Sequence, residues 1–265
     1  MDMAIIQKYL KTLDSEARIL DKEDFKFYKE VLKKAKKDFQ KGFQYISNNI
    51  NPIDVTGSNF FFACLADELL GKDGRIATLN DWGEMLNGGN FAKGMYFDSN
   101  QLILRSDEAT FDKNQYLIND LSKKLKGEFE YSPENPLIIT GARLKSSKAK
   151  ENEYGIDLDI SNAEIKNDES FAPTNKIIKL GNIEKKLWTK KEGLSRLCLD
   201  ENDVGSGSGN LADSDSDGRV ALLDAIGVVE EKLAEYLIKL QEQKDLQISE
   251  IEKKYLEAKS ILQNK

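Results

Sequence analysis

Three aspartates that alternate with serines, Asp213, Asp215 and Asp217, have a spacing that could bind a hard cation. Together with Gly218 they form a D-x-D-x-D-G pattern, in which the carboxylates fall at the first, third and fifth positions. Alternate carboxylates wrapped by a glycine turn supply the oxygen ligands that Ca²⁺ prefers. The pattern therefore makes Ca²⁺ a candidate cofactor for residues 213–224.

The rest of this segment fits a calcium loop only in part. Arg219 can serve at the seventh position, because the ligand there is a backbone carbonyl. Asp224 stands at the twelfth, where the longer Glu is the usual bidentate ligand. The Gly/Ser-rich residues before the segment cannot form the entering helix of an EF-hand. The calcium interpretation is thus that of a dockerin-like interaction module with a half-site at 213–224.

The other residues that could do chemistry form no catalytic motif. The chain has no histidine, which removes Ser-His and Cys-His nucleophile pairs. Its two cysteines, Cys64 and Cys198, are too few for a disulfide framework or a cysteine-rich zinc site. Acidic residues are abundant but scattered, and none lies in a general acid–base motif. We therefore expect a protein that is not an enzyme.

A longer polar stretch, residues 200–218, encloses the aspartates. Fifteen of its nineteen residues are Asp, Asn, Gly or Ser, which bury too little apolar surface to fold alone. The flanking residues 194–199 and 219–223 have strand-like composition and partial alternation. One interpretation is a flexible linker, because residues 205–209 read Gly-Ser-Gly-Ser-Gly. Another is a displayed surface held between neighbouring strands, since linkers join domains rather than strands of one sheet.

The order GLSRLCL, an Asn/Asp/Ser/Gly-rich stretch and NLADSDSDGRVALL resembles the C-terminal variable region of target proteins of diversity-generating retroelements. The likeness is to the archaeal and candidate-phylum bacterial type. In that family a template copied with errors at adenines varies fixed positions on the rigid ligand-binding face of a C-type-lectin fold. The resemblance covers about residues 193–223. It implies non-catalytic recognition of a macromolecular or cell-surface ligand.

The resemblance also divides the variable region, about residues 194–223, into two sets. The variable set, which would bind the ligand, is Cys198, Asp200, Asn202, Gly205, Gly207, Ser208, Asn210, Asp213, Asp215 and Asp217. The frame set, which would brace it, is Leu194, Ser195, Arg196, Leu197, Leu199, Leu211, Gly218, Arg219 and Val220. A display surface needs solvent-facing side chains that folding does not require. Under this interpretation the calcium-like pattern is a coincidence and the protein has no cofactor.

The charge distribution limits the partners. The chain carries 39 basic and 46 acidic residues, a net charge of −7. Residues 194–224 contain seven acidic side chains and two arginines, whereas phosphate binding needs clustered Lys and Arg, so we expect no nucleic acid here. The sequence has no run of eighteen apolar residues and no secretory signal. We expect no membrane insertion and a cytoplasmic location by default, with surface or virion display left open.

The sequence predicts an α+β fold with long helices at both ends. Residues 1–50 are expected to form a helical hairpin, with apolar residues at heptad spacing in its second helix. Residues 51–224 combine short strands with two helices, which the resemblance makes a C-type-lectin-like domain. There Ser58 would cap a helix, and strands at 94–97 and 101–105 would flank a turn at 98–100. Residues 225–265 are expected to form a helix that joins the N-terminal helices in a bundle, or another subunit in a coiled coil.

Overall fold

The computed structural model describes residues 18–87, 94–200 and 202–224, and also five positions between 241 and 251. The chain divides into two compact units, Met1–Leu223 and Asp224–Lys265. Residues 18–50 thus belong to the same unit as the strands that follow them. The first half of the expected hairpin falls on residues 1–17, outside the described residues. Most of the expected helix over 225–265 also falls outside them, and the five positions described there are helical.

The fold is mixed α+β, and its main sheet curls into a half-barrel. The helices of the described residues are α1 (Phe25–Asp38), α2 (Phe43–Ile46), α3 (Phe60–Leu70), α4 (Leu79–Asn87) and α5 (Gln115–Leu125). The strands are β1 (Arg18–Ile19), β2 (Gly74–Ile76), β3 (Tyr96–Leu104), β4 (Leu137–Thr140), β5 (Arg143–Ser146), β6 (Ile156–Asp159), β7 (Glu164–Asn167), β8 (Ile177–Leu180), β9 (Ile183–Thr189), β10 (Leu194–Asp200), β11 (Asp203–Ser206), β12 (Gly218–Arg219) and β13 (Ala221–Asp224).

The main sheet is built around β3. Its strand order is β7-β4-β3-β10-β11-β9-β8, and β12 pairs with the beginning of β3. β10 runs antiparallel along one edge of β3, and the other edge is shared by β12 and β4. β11 is antiparallel to β10 but parallel to β9. The polar stretch at 200–218 therefore begins at the end of β10, on one side of β3, and ends at β12, on the other side.

β3 is one continuous strand that includes residues 98–100, which were expected to form a turn. Its pairing with β10 shifts register between Arg196 and Cys198, where β3 carries the extra residues of a bulge. Asp98 and Ser99 are buried there; the Asp98 carboxylate pairs with Arg196, and the Ser99 hydroxyl donates to the Leu197 carbonyl at 3.0 Å. The prediction of two strands around a turn is wrong, because partners from β10 satisfy these polar residues inside the sheet.

A small three-stranded sheet brings together the two ends of the described part of this unit. β13 lies between β1 and β2, with Arg18 opposite Leu222 and Ile19 opposite Ala221 on antiparallel strands. A further backbone hydrogen bond runs from Leu20 N to Val220 O at 3.3 Å. Because β13 follows β12 after one residue, pairing fixes the chain as soon as the polar stretch ends.

Two clusters of buried side chains pack against the sheet. The larger includes Tyr28, Val31 and Ala35 of α1, so the apolar seam of that helix is covered within this unit. It also contains the buried face of α3, whose cap is Asn59 and not Ser58: the Asn59 side-chain oxygen Oδ1 accepts from Phe62 N at 2.9 Å. The smaller cluster lies on the other side of β10 and includes Leu197, Leu199, Val204, Leu187 and Trp82.

Candidate functional site

The polar stretch forms a strand and a long return segment. After β10 the chain turns into β11, where Val204 and Ser206 are buried while Asp203 and Gly205 are partly exposed. Residues 207–217 then cross back to β12 beside the beginning of β3. The sequence did not predict β11, because its residues, Asp-Val-Gly-Ser, contain a single strongly apolar side chain.

The exposed side of the stretch contains the variable set. Asn202, Asp213, Asp215 and Asp217 are exposed, and the other six of the ten positions are partly exposed. Eight of the nine frame residues are buried, and Arg219 is partly exposed. At the end of β10 and along β11 this division follows from alternation, since successive side chains point to opposite faces, whereas residues 194–197 are buried on both faces of the sheet. The ten positions therefore lie on the outside of the molecule, over a buried frame.

The return segment is held mainly through its own backbone. Side-chain amides reach it from three places outside: Asn48 donates to the Ala212 carbonyl at 2.8 Å, Asn49 to Ser214 O at 2.6 Å, and Asn114 to Gly209 O at 2.7 Å. Carbonyl acceptors are present whatever the side chain, so these amides can hold the segment regardless of its sequence. No pattern in the sequence singles out these three asparagines.

A buried ion pair lies beneath the return segment. Arg196 Nη1 is 2.7 Å from Asp98 Oδ1, and the side chains are 6% and 0% exposed. The Ser58 hydroxyl donates to the other Asp98 oxygen at 2.7 Å, and Arg196 Nη2 lies 3.5 Å from Asp213. Burial raises the pKa of Asp98, and the Arg196 guanidinium acts in the opposite direction. The main side-chain partner of Arg196 is thus Asp98 of β3, and its side-chain contact with the stretch is the longer one to Asp213.

Tyr96 connects this ion pair to the aspartates. The Arg196 guanidinium lies 5.4 Å from the centre of the Tyr96 ring. The Tyr96 hydroxyl donates to Ser58 O at 3.3 Å and accepts from Asp215 N at 3.2 Å. Burial raises the pKa of Tyr96 to about 12, so the hydroxyl stays protonated at neutral pH. The segment carrying Asp213, Asp215 and Asp217 is thereby fixed above β3.

A second buried cation, Arg105, holds the other end of the stretch. Its guanidinium donates to the Ser195 hydroxyl at 2.8 Å, the Thr189 hydroxyl at 2.6 Å and the Ser206 hydroxyl at 3.0 Å. These partners lie on β10, β9 and β11. Burial lowers the pKa of Arg105 to about 10, which still leaves it charged at neutral pH. No pattern in the sequence indicates this role for Arg105, because its partners are neutral and distant in the chain.

Trp188 of β9 adds an aromatic side chain next to the variable set. It lies opposite Gly205 in the pairing of β9 with β11 and is 54% exposed. Its Nε1 donates to Asp203 Oδ2 at 2.8 Å, and Lys186 Nζ lies 3.8 Å from the centre of its ring. The signal in the sequence is that Trp188 alternates with the buried Leu187 and so falls on the polar face of its strand. Residues 194–224 themselves contain no aromatic residue.

The aspartates of the calcium-like pattern have other partners. Asp215 Oδ1 accepts from Asp217 N at 2.9 Å, and Asp213 is directed to Arg196. Within the described residues no group of three acidic, histidine or cysteine side chains is placed to hold a metal ion. The side chain of Asp224 lies outside the described residues.

The two thiols are unsuited to nucleophilic chemistry. Burial raises the pKa of Cys198 to about 12 and that of Cys64 well above its usual value, so both are protonated at neutral pH. Cys198 Sγ lies 3.5 Å from Gly205 O across the pairing of β10 with β11.

Among the described helices, none has the length and the hydropathy needed to cross a membrane.

A separate polar cluster lies in an open groove of about 930 Å³. Ser122 Oγ and the Tyr131 hydroxyl both donate to Asp107 Oδ1, at 2.6 and 2.5 Å. These hydrogen bonds lower the pKa of Asp107, and burial raises the pKa of Tyr131. Neither group titrates near neutral pH. The hydrogen bonds to Asp107 connect the segments before and after α5 to that helix.

None of the ten variable positions lines that groove.

No protein-family model, curated protein or solved structure matches the chain, so a function must be inferred from the geometry of the chain itself.

Proposed function

We propose that this chain is a non-catalytic recognition protein that displays a hypervariable ligand-binding surface on a C-type-lectin-like scaffold. The surface consists of the variable set defined above, and a diversity-generating retroelement would vary it. The single observation that carries the proposal is the division of residues 194–223 into a variable set that is exposed or partly exposed and a frame that is almost entirely buried. Side chains of this kind can change without emptying the core.

The backbone tethers support the same proposal. The amides of Asn48, Asn49 and Asn114 and the hydroxyl of Tyr96 bind backbone atoms of the return segment. A backbone hydrogen bond from Arg196 N to Ser208 O adds to them at 3.1 Å. A segment held in this way keeps its shape while its side chains change. Hypervariable surfaces on a fixed scaffold require that property.

The space around individual glycines also agrees with the two sets. A Cβ added at Gly207, in the variable set, would have its nearest neighbour at 3.7 Å, an ordinary contact. A Cβ at Gly205 would lie 2.8 Å from Cys198 Sγ, so the crowding there is between two variable positions. A Cβ at Gly218, in the frame set, would lie 2.8 Å from Ser58 N, a backbone atom. The frame glycine is thus required by packing, and Gly207 is not.

The display part of the proposal is tested with a library. All ten variable positions are randomised together, and the library is selected on yeast for binding to one purified globular protein. We expect folded binders that carry many combinations of residues, since surface substitutions usually change stability by no more than about 0.5 kcal/mol each. Matched single variants, Leu197→Ala and Leu199→Ala, should lose about 2–5 kcal/mol because they empty core sites. A library that loses its fold while the leucine variants keep theirs would contradict the proposal.

The diversification part is tested in the DNA next to the gene. We expect a reverse transcriptase gene and a near-copy of the region encoding residues 194–223, with adenines in the codons that match the variable set. If neither is present, diversification is excluded and the display test decides the recognition function alone.

A further inference from the structure

We propose that Trp188 is a fixed aromatic anchor of the variable surface, and that the ligand is a protein presenting a lysine or arginine to it. This inference rests on the proposed function and names the partner's chemistry. It also adds a residue that lies outside the variable region and would therefore be constant.

The strand register places Trp188 in line with the variable set. One row across the sheet runs from Trp188 through Gly205 and Cys198 to Asp98. The next row on the same face contains Ile177, Lys186 and Asp203 on β8, β9 and β11, and Asp200, Tyr96 and Gly218 on β10, β3 and β12. Four strand spacings separate β9 from β12, about 19 Å at about 4.8 Å each. That width suits a standard protein interface of about 800 Å² per partner.

The indole is held in place before any ligand arrives. The hydrogen bond from Trp188 Nε1 to Asp203 fixes the ring, so little side-chain entropy is left to lose on binding. Tryptophan is among the residues that most often dominate binding energy at interfaces. Ile177, which is 58% exposed and pairs with Lys186, adds apolar surface on the same face. These side chains form a small exposed apolar patch beside the variable set.

Two features of the face favour a cationic partner. Lys186 Nζ already lies 3.8 Å from the centre of the Trp188 ring, which shows that the ring is placed to interact with a cation. The variable set contributes the exposed carboxylates of Asp213, Asp215 and Asp217. Arg196 is buried and paired with Asp98, and Arg219 donates to the Ser216 and Gly218 carbonyls. Asp203 bonds the indole directly and Asp200 lies on the next strand, so carboxylates outnumber the accessible cations of this face, which complements a lysine or arginine side chain and repels phosphate.

The test uses a phage-displayed library of random twelve-residue peptides, selected on the full chain. Peptides that bind are then measured against Trp188→Ala, Trp188→Phe and a control, Leu69→Ala. Leu69 is an exposed apolar residue of α3, outside the sheet, so its removal should leave binding unchanged. We expect the selected peptides to be enriched in Lys or Arg and to bind Trp188→Ala about 30-fold more weakly, the loss typical of a hot spot. Trp188→Phe should bind with intermediate affinity, and all three variants should melt like the parent.

The outcomes separate this inference from the proposed function. Peptides that lose binding when the variable set is replaced, but that lack basic residues or ignore Trp188→Ala, overturn the inference and leave the proposed function standing. Peptides that keep binding after the variable set is replaced overturn both. The inference also fails if selection yields no peptide whose binding depends on Trp188.

Discussion

Arg196 of β10 and Asp98 of β3 form an ion pair, with 2.7 Å between Nη1 and Oδ1, that is almost fully buried beneath the most polar segment of the chain. The pair connects the central strand to the strand from which the variable surface departs. Because Asp98 belongs to a bulge in β3, the register shift between the two strands and the ion pair occur at the same place.

Removing the cation of this pair should be strongly destabilising. We expect Arg196→Met to cost about 3–5 kcal/mol in the free energy of unfolding, because it leaves the buried Asp98 carboxylate without its partner. Burial raises the pKa of Asp98, so a folded variant would hold a proton that the unfolded chain releases. Protonation of Asp98 therefore stabilises the folded variant fully below the unfolded pKa of about 4. This stabilisation is lost as the pH rises through the folded pKa.

The cost of Arg196→Met should therefore be smaller near pH 4 than at pH 7 when measured by urea unfolding. Lys33→Met is the control, since Lys33 pairs with Glu30 at 3.3 Å and both side chains are exposed, at 76% and 58%. A pair this exposed contributes about 1 kcal/mol or less. Equal losses for the two variants would show that the buried pair has no special role.

Substitutions at Gly207 and Gly218 should differ in their effect on stability, because the two glycines have different surroundings. Gly207→Asn should change the free energy of unfolding by no more than about 0.5 kcal/mol, because a Cβ there meets its nearest atom at 3.7 Å. Gly218→Ala should cost about 1–3 kcal/mol, because its Cβ would overlap Ser58 N and the Tyr96 hydroxyl. Thermal melting of the two variants beside the parent measures both. The assignment of Gly207 to the variable set fails if Gly207→Asn is the more damaging change.

Calcium should have little effect on stability. A functional site would add about 2.7 kcal/mol at a calcium concentration 100-fold above its dissociation constant. We expect the same melting temperature with millimolar calcium and with a chelator, because Asp215 is engaged with Asp217 N and Asp213 faces Arg196. Asp217→Asn serves as the control for a nonspecific charge effect. A rise of several degrees in calcium that Asp217→Asn abolishes would favour the dockerin-like alternative.

The sequence predicted those parts of the site that depend on apolar alternation. The buried positions of Leu197 and Leu199 follow from strand periodicity, and so do the strands on either side of the polar stretch. Residues held by long-range polar contacts were not predictable in this way. Asp98, read as part of a turn, is buried because Arg196 lies 98 positions later in the chain and faces it across the sheet.

The sequence predicts only in part that the polar stretch has a defined structure. Its composition alone predicts disorder, and the flanking strands suggested otherwise. The groups that fix it, such as Asn48 and Asn114, are far away in the sequence and have no distinctive neighbours. The resemblance does not point to Trp188, because this residue lies outside the region that resembles a variable surface. Its alternation with Leu187 was nevertheless visible.

The asparagine tethers lead to the last prediction, which concerns order in the return segment. Asn114 is buried, donates to Gly209 O at 2.7 Å and Leu194 O at 3.2 Å, and accepts from the Tyr154 hydroxyl at 3.0 Å. Asn114→Ala leaves these groups without their partner, at a cost of about 1–3 kcal/mol for each group left unsatisfied. We expect a lower melting temperature and faster amide hydrogen exchange in residues 207–217.

The control for this prediction is Asn119→Ala, in the same helical region, because Asn119 is exposed and accepts from Gln115 Nε2 at 3.0 Å on the surface. It should change the melting temperature little and leave exchange in residues 207–217 as in the parent. Exchange is the decisive readout, because a general loss of stability would speed exchange throughout the unit. If Asn114→Ala lowers the melting temperature without a local increase at 207–217, the amide supports the core alone and the backbone-tether account of the variable surface is wrong.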